Sequence, residues 1–449
     1  MKAVYRKKRL SSSQIIMLSF MGVILLGSIL LMLPWSTQQA GGASFLDALF
    51  TATSATCVTG LVTHDTATYW SVFGKAVILC LIQIGGLGVI TIAILITRLS
   101  GRKINLMQRS TMQEAIAAPQ MGGIVRLTNY IFKTVLLIEA LGAVALMPGM
   151  IPQFGVAKGI WYSVFHSVSA FCNAGFDLMG IRKQYSSLTA FSADPCINLV
   201  IMLLIIVGGI GFLTWDDMKR NKWHLRRYRM QSKVILVVTA ILLVLPAIYF
   251  YCCEFGRPEW ESMTLQERVF SAMFQSVTAR TAGFNTVDLT QLTESGQMIM
   301  ILLMLIGGSP GSTAGGMKTT TLAVLIATAI AVFKRRPNAH IFGRRIPNDT
   351  AHYAATVLMM YLTLFLAGGI FIGYVEGIPM ISALFEAASA IGTVGLSLSG
   401  TPTFGTASKL VLIVLMFMGR VGGMTIVYAA LSRKKPYVSE LPQEKIMVG

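Results

Sequence analysis

Apolar residues fall along this chain in an order of long, short and long stretches, and the order is written four times. The long stretches are 13–34 and 72–97, 127–148 and 196–215, 233–252 and 296–333, and 353–375 and 408–431. Each is long enough to cross about 30 Å of hydrocarbon as a helix. Between the members of each pair lies a half-length stretch rich in small residues: 44–56, 159–171, 265–279 and 380–391. A helix that short, followed by irregular backbone, leaves polar groups that lipid cannot satisfy. It must enter and leave from one side, inside protein and beside a water-filled path. The pattern predicts an all-α integral membrane protein of four tandem helix–pore loop–helix units, with eight transmembrane helices and four re-entrant pore helices around one central pore. The units are 13–98, 127–216, 233–333 and 353–431, flanked by tails 1–12 and 432–449.

The short stretches share a sequence as well as a length. They read Phe50-Thr-Ala-Thr-Ser-Ala-Thr-Cys-Val-Thr-Gly60, Phe165-His-Ser-Val-Ser-Ala-Phe-Cys-Asn-Ala-Gly175, Phe274-Gln-Ser-Val-Thr-Ala-Arg-Thr-Ala-Gly283 and Phe385-Glu-Ala-Ala-Ser-Ala-Ile-Gly-Thr-Val-Gly395. From Gly60 to Gly175, Gly283 and Gly395 the steps are 115, 108 and 112 residues, the mark of a tandem repeat. The third copy is one residue shorter from Phe to Gly.

Composition supports a membrane protein. Of 449 residues, 54% are hydrophobic and 12% charged, about half the charge of a soluble domain. The net charge of +18 would raise nucleic acid as a partner in a soluble chain. Here the basic residues sit in clusters between apolar stretches, without interleaved aromatics. They lie in the N-terminal segment, around 98–126, at 219–233, at 334–345 and in the C-terminal tail, with few in the alternate loops. That is the positive-inside distribution. It predicts a multi-pass cell-membrane protein with both termini cytoplasmic and all four Gly loops opening outward, and it argues against nucleic acid. The six Cys form no CxxC pair and read as small hydrophobes. The opening MKAVYRKKRL, with no small-residue cleavage site after it, reads as a cytoplasmic tail leading into the first membrane helix.

Four short helices aimed at one axis would bring their C-termini together, each carrying roughly −0.5 of a charge. Such a centre favours a cation. Backbone carbonyls following each helix can replace the water of a dehydrated alkali ion. The candidate donors are Val58, Thr59 and Gly60; Asn173, Ala174 and Gly175; Thr281, Ala282 and Gly283; and Thr393, Val394 and Gly395. Gly suits a tightly curved strand where a Cβ would intrude. The loops carry no carboxylate ring of the kind calcium or magnesium favours, so a monovalent cation fits better. No His/Cys/Asp/Glu cluster has metal-site spacing.

A second repeat follows each loop: Ile84-Gly-Gly-Leu-Gly88, Val207-Gly-Gly-Ile-Gly211, Ile306-Gly-Gly-Ser-Pro-Gly311 and Met418-Gly-Arg-Val-Gly422. In the first two copies the glycines read as sites of close helix packing. The third copy opens 307–321, too rich in Gly, Pro and hydroxyls to stay helical. Its candidate gate residues are Gly307, Gly308, Ser309, Pro310, Gly311, Ser312, Thr313, Ala314, Gly315 and Gly316, with Lys318 beside them. In the fourth copy Arg420 replaces Gly. At mid-helix it costs at least about 2.5–3.5 kcal/mol to insert, so it is expected to face the pore and bond carbonyls of 307–316. Arg280 is expected to face away from the axis and brace its loop. Glu139 and Glu386 are possible partners for buried cations. His166 aligns with Thr51, Gln275 and Glu386 and reads as a pore-helix residue.

On the four loops, the broken third-unit helix and the Arg of the last helix, the whole chain resembles the potassium transporter superfamily that includes the Trk, Ktr and plant HKT proteins. Its strongest likeness is to the membrane subunits of Ktr systems. The resemblance implies a channel-like potassium uptake pore, a homodimer, an intramembrane gating loop and a cytosolic ring of KtrA-type subunits. Nucleotide is then expected on that partner and not on this chain. Gly at all four filter positions implies potassium, whereas Ser in the first loop goes with sodium. A rocking carrier would show inverted halves and not four units of one orientation. An enzyme would need a motif that is absent here, such as a Walker loop, a nucleophile elbow or HExxH. A pure scaffold would leave four costly loops unexplained.

Overall fold

The computed structural model describes residues 10–39, 41–99, 104–116, 122–222, 224–422 and 425. The chain is mostly helical, with one two-stranded hairpin, His340–Ile341 against Arg344–Arg345. Among the described residues four helices are long and apolar enough to cross a membrane, Ser12–Leu31, Ile124–Phe154, Met230–Glu254 and Asn348–Glu376, or five if the bent pair Pro195–Ile210 and Phe212–Asn221 is one span. Only 28–33% of their apolar windows is buried inside the protein. Leu26, Ile29, Leu137, Leu141, Leu245 and Met359 are exposed, an arrangement that requires an apolar solvent. Residues 1–9 and 432–449 of the predicted tails, Arg102, Lys103 and, in the last predicted span, residues 423, 424 and 426–431 lie outside the described residues.

Each long helix is followed by a shorter one: Phe45–Cys57, Val156–Phe171, Leu265–Thr278 and Met380–Gly392. The long helix packs along the short one that follows it in every case. Capping sets where several helices begin. Ser11 and Thr264 form capping boxes with Gln14 and Glu267, and Asp194 and Thr293 cap the helices that start at Pro195 and Glu294. Such caps satisfy amides that have no partner within the helix.

The second long stretch of the first two sets departs from expectation, for neither is one continuous helix, whereas the third breaks where its Gly-, Pro- and hydroxyl-rich middle predicts. The segment 72–97 divides into Val72–Leu87 and Val89–Leu99 at Gly88. The segment 196–215 turns through 93° between Pro195–Ile210 and Phe212–Asn221. The third divides into Glu294–Leu305 and Thr319–Phe333, and the fourth ends at Val421 before Gly422. Gly88, Gly211 and Gly422 share one backbone state, with φ of 87°, 99° and 85° and ψ of 128°, 140° and 124°. That region is open essentially to glycine alone. The first two Gly-rich copies are therefore breaks as well as packing sites. Gly85 and Gly208 supply the packing: a Cβ on either would collide with the carbonyl oxygen of Thr56 or Phe171, at the end of the preceding short helix.

Candidate functional site

All four short helices end at the same place. Val58, Asn173, Thr281 and Thr393, each two residues before its loop glycine, adopt positive φ of 57°, 58°, 69° and 52°. Gly60, Gly175, Gly283 and Gly395 follow at 94°, 68°, 83° and 95°. The loops are tied by one repeated bond. The amides of Thr59, Ala174, Ala282 and Val394 donate to the carbonyls of Ser54, Ser169, Thr278 and Ser389 at 2.8, 2.8, 3.0 and 2.8 Å. The hydroxyls of those same four acceptor residues brace the backbone at and just after the glycines. Ser54 and Ser389 accept from the amides of Gly60 and Gly395 at 3.1 and 3.0 Å. Ser169 donates to Phe176 O at 2.7 Å, and Thr278 donates to Phe284 O. The residue missing from the third copy therefore falls between Thr278 and Gly283, and the register at the glycine is kept.

The glycines close a ring. A Cβ built on Gly60 would press on Ala174 O, one on Gly175 on Ala282 O, one on Gly283 on Val394 O, and one on Gly395 on Thr59 O, all closer than 3.0 Å. Each loop thus meets the next in the order first, second, third, fourth and back to first. Glycine is required twice over here, by positive φ and by the approach of neighbouring backbone. All four line the floor of one cavity of about 350 Å³, whose walls include Asp65, Asp177, Tyr185 and Ser187. Asp177 accepts from the amide of Met179 at 2.8 Å. Burial pushes its carboxyl up to about 7; the Met179 amide opposes that rise and the Asp65 charge adds to it.

Below the ring lies the segment between Leu305 and Thr319. Gly315 and Gly316 sit against Thr393 and Gly392, and Thr313 Oγ1 donates to Phe171 O at 3.0 Å. The breaks of other repeats hold the segment. The amides of Ser309 and Thr313 donate to Gly209 O and Gly208 O at 3.0 and 3.3 Å, and that of Gly316 to Gly419 O at 3.3 Å. The amide of Phe212 donates to Gly311 O at 2.7 Å. Arg420 donates to Thr313 O and Gly85 O, and to Gly86 O at 3.3 Å. Lys318 Nζ turns back onto Ala314 O and Gly315 O at 2.9 and 3.2 Å. Both cations line a second cavity of about 280 Å³ on the far side of the segment, together with Pro310, Gly311 and Ser312.

The remaining candidates divide. Glu386 is fully buried and accepts from Ser397 Oγ, the amides of Leu398 and Ser399, and Thr401 Oγ1 at 2.6, 3.0, 3.2 and 3.1 Å. It holds the segment after the fourth glycine and pairs with no cation among the described residues. His166 does the same for the second loop, accepting from the amide of Leu178 at 3.3 Å, while its other ring nitrogen meets Tyr162 O at 2.8 Å. Glu139 is bonded by Gln83 at 3.0 Å and approached by the Cys172 thiol at 3.8 Å. Arg280 is buried with Nε unbonded, so the bracing expected of it has no hydrogen bond at that atom. Among the described residues no group of His, Cys, Asp and Glu is arranged to hold a metal. Sequence reasoning missed Asp177; its signal was its place two residues after Gly175.

A bundle of apolar helices around a ring of converging loops defines a multi-pass membrane protein. The chain matches the TrkH family of cation transport proteins over residues 8–440. It is 42% identical to the potassium/sodium uptake protein NtpJ of Enterococcus hirae over 449 residues, 99% of this chain and 98% of that one. It is 38% identical to the Ktr system potassium uptake protein B of Bacillus subtilis, covering 94% of this chain and 93% of that one. The crystal structure of the potassium transporter TrkH from Vibrio parahaemolyticus shares its fold, with a TM-score of 0.73, 19% identity, and coverage of 95% of this chain and 86% of that one. The chain belongs to the TrkH family of cation transport proteins, and so is an ion transporter and not an enzyme.

Proposed function

We propose that this chain is the ion-conducting subunit of a potassium uptake system. Its filter is the ring of four Gly loops at the centre of eight spanning segments and four re-entrant helices. The observation that carries the reading is the cyclic closure of Gly60, Gly175, Gly283 and Gly395 at the C-termini of four short helices. The negative ends of the helices favour a cation there, and the carbonyls of 58–60, 173–175, 281–283 and 393–395 replace its water. The segment 307–316, with Lys318 and Arg420, is the gate. Two fixed cations beneath a cation filter oppose passage until the segment moves. The basic loops support a topology with both termini in the cytoplasm.

Relatives named as parts of a Ktr system support a regulatory partner; a cytosolic KtrA-type ring that carries the nucleotide, and a homodimer of this chain in the bilayer, belong to the same proposal. Co-purification with such a partner tests the assembly. A second reading, transport of sodium as well, is favoured by the name of the Enterococcus hirae relative. Flux of potassium, rubidium and sodium into liposomes containing the purified chain separates the two. Potassium and rubidium entering well ahead of sodium supports the filter reading, and equal potassium and sodium flux overturns the selectivity.

A further inference from the structure

A third cavity, of about 320 Å³, lies away from the ring, between the start of helix Ile124–Phe154 and the bent helix Phe212–Asn221. Arg126, Lys219, Arg220 and Arg229 line it, with Asp216 and Tyr130. Topological bias explains why basic residues lie on this side; it does not explain their convergence on one concavity. Two of them are already matched. Arg220 binds Asp216 at 2.9 and 3.0 Å, and Arg229 approaches Asp217 at 3.5 Å. Lys219 has its ammonium over the Tyr130 ring at 4.2 Å and no carboxylate within ion-pair distance among the described residues. Arg126 likewise makes no ion pair among them.

Two exposed cations without an ion-pair partner among the described residues therefore face one pocket, whose charge suits an anion. The first turn of helix Ile124–Phe154 adds to this, for its N-cap is Gly123 and no side chain caps it. Amides at such an end attract a phosphate. Depth says which phosphate. Arg126 and Tyr130 sit in the first two turns of a membrane-length helix, where Tyr and basic residues meet lipid headgroups. We infer that this cavity binds the phosphate of an anionic phospholipid headgroup, through Arg126, Lys219 and the amides of the Ile124–Phe154 helix start. Basic pockets between membrane helices are suited to that ligand. The site is separate from the ion path, so it stands or falls independently of the filter reading.

The test is native mass spectrometry of the purified protein titrated with phosphatidylglycerol or phosphatidylcholine. It is run on the unmodified chain, on Arg126→Gln/Lys219→Gln and on the control Arg335→Gln. The unmodified chain and the control should retain phosphatidylglycerol over phosphatidylcholine. The double variant should lose about fivefold in that preference for each charge removed, and Arg126→Lys/Lys219→Arg should keep most of it, which separates loss of charge from loss of fold. An unchanged preference in the double variant overturns the proposal, as does an equal loss in the Arg335 control. Displacement of the lipid by inorganic phosphate alone overturns the lipid assignment.

Discussion

Arg420 donates to the main-chain oxygen of Thr313, joining the last described helix of the fourth repeat to the broken segment of the third. The same guanidinium reaches Gly85 O and Gly86 O in the first repeat. One side chain thus clamps three repeats beneath the ring. It does so with charge-assisted bonds, which are stronger than neutral ones. Arg420→Ala removes the clamp and one of the two cations. Rubidium flux into liposomes should rise several-fold. Unchanged flux at a normal protein level would count against a gating role.

Substitutions in the ring should act on selectivity before abundance. A side chain on Gly60 meets Ala174 O in the adjoining loop and must also adopt φ of 94°. Gly60→Ser should widen or tilt the first loop and lower the potassium-to-sodium flux ratio by about tenfold, a change of about 1.4 kcal/mol in relative barrier. Paired isotope fluxes measure it. A ratio equal to that of the unmodified chain would remove Gly60 from the filter.

The breaks at Gly88 and Gly211 should be less tolerant than ordinary helix glycines. Gly211→Ala forces a Cβ against Pro310 O at 2.7 Å and keeps a φ of 99°, a strain of order 1–3 kcal/mol. The expected result is a lower thermal midpoint in detergent and altered gating, because Pro310 belongs to the segment beneath the ring. Gly22, a helical glycine whose added Cβ meets nothing within 4 Å, is the control, and Gly22→Ala should neither lower the midpoint nor alter gating.

The repeat and its four glycines were legible because they are periodic, and periodicity needs no knowledge of contacts. The breaks at Gly88 and Gly211 were not, since a glycine that packs a helix and one that ends it look alike in sequence. What distinguishes them is the backbone: Gly88 and Gly211 carry φ of 87° and 99°, while Gly85 stays within its helix and faces Thr56 O. The partners of Glu139 and Glu386 were illegible for a related reason. Glu386 is satisfied by a segment 11–15 residues onward, and nothing in composition separates such a brace from half of an ion pair. Arg420 was legible as a cation inside an apolar run, but the structure puts it in the last turn of Thr406–Val421 and not at the mid-helix position expected of it, because the helix stops at Gly422.

Glu386 should be more important to the fourth loop than its distance from the glycine suggests. Glu386→Ala orphans the amides of Leu398 and Ser399 and two hydroxyls, and each buried group left unpaired costs about 1–3 kcal/mol. The variant should unfold at clearly lower temperature and lose ion selectivity. Glu386→Gln, which keeps an acceptor in place, should fall between. Equal thermal midpoints for Ala and the unmodified chain would show that the segment after Gly395 holds itself.

With the Gly loops opening outward as proposed, Asp177 should give uptake a dependence on external pH. Its carboxyl lies in the wall of the cavity over the ring, and burial holds it up to about 7, with the Asp65 charge adding to the rise. A carboxyl raised in this way is charged above that value and neutral below it. Lowering external pH from 8 to 6 therefore removes negative charge from the cavity where a cation would gather before entering the ring. At limiting potassium, uptake should fall as pH drops through about 7, with the change in the half-saturating concentration and not in the maximal rate. Asp177→Asn fixes the neutral state, so it should show the low-pH affinity at every pH and a flat profile. Kinetics of rubidium uptake at a series of external pH values decide the matter. An Asn variant with the same pH profile as the unmodified chain would assign the dependence to another group.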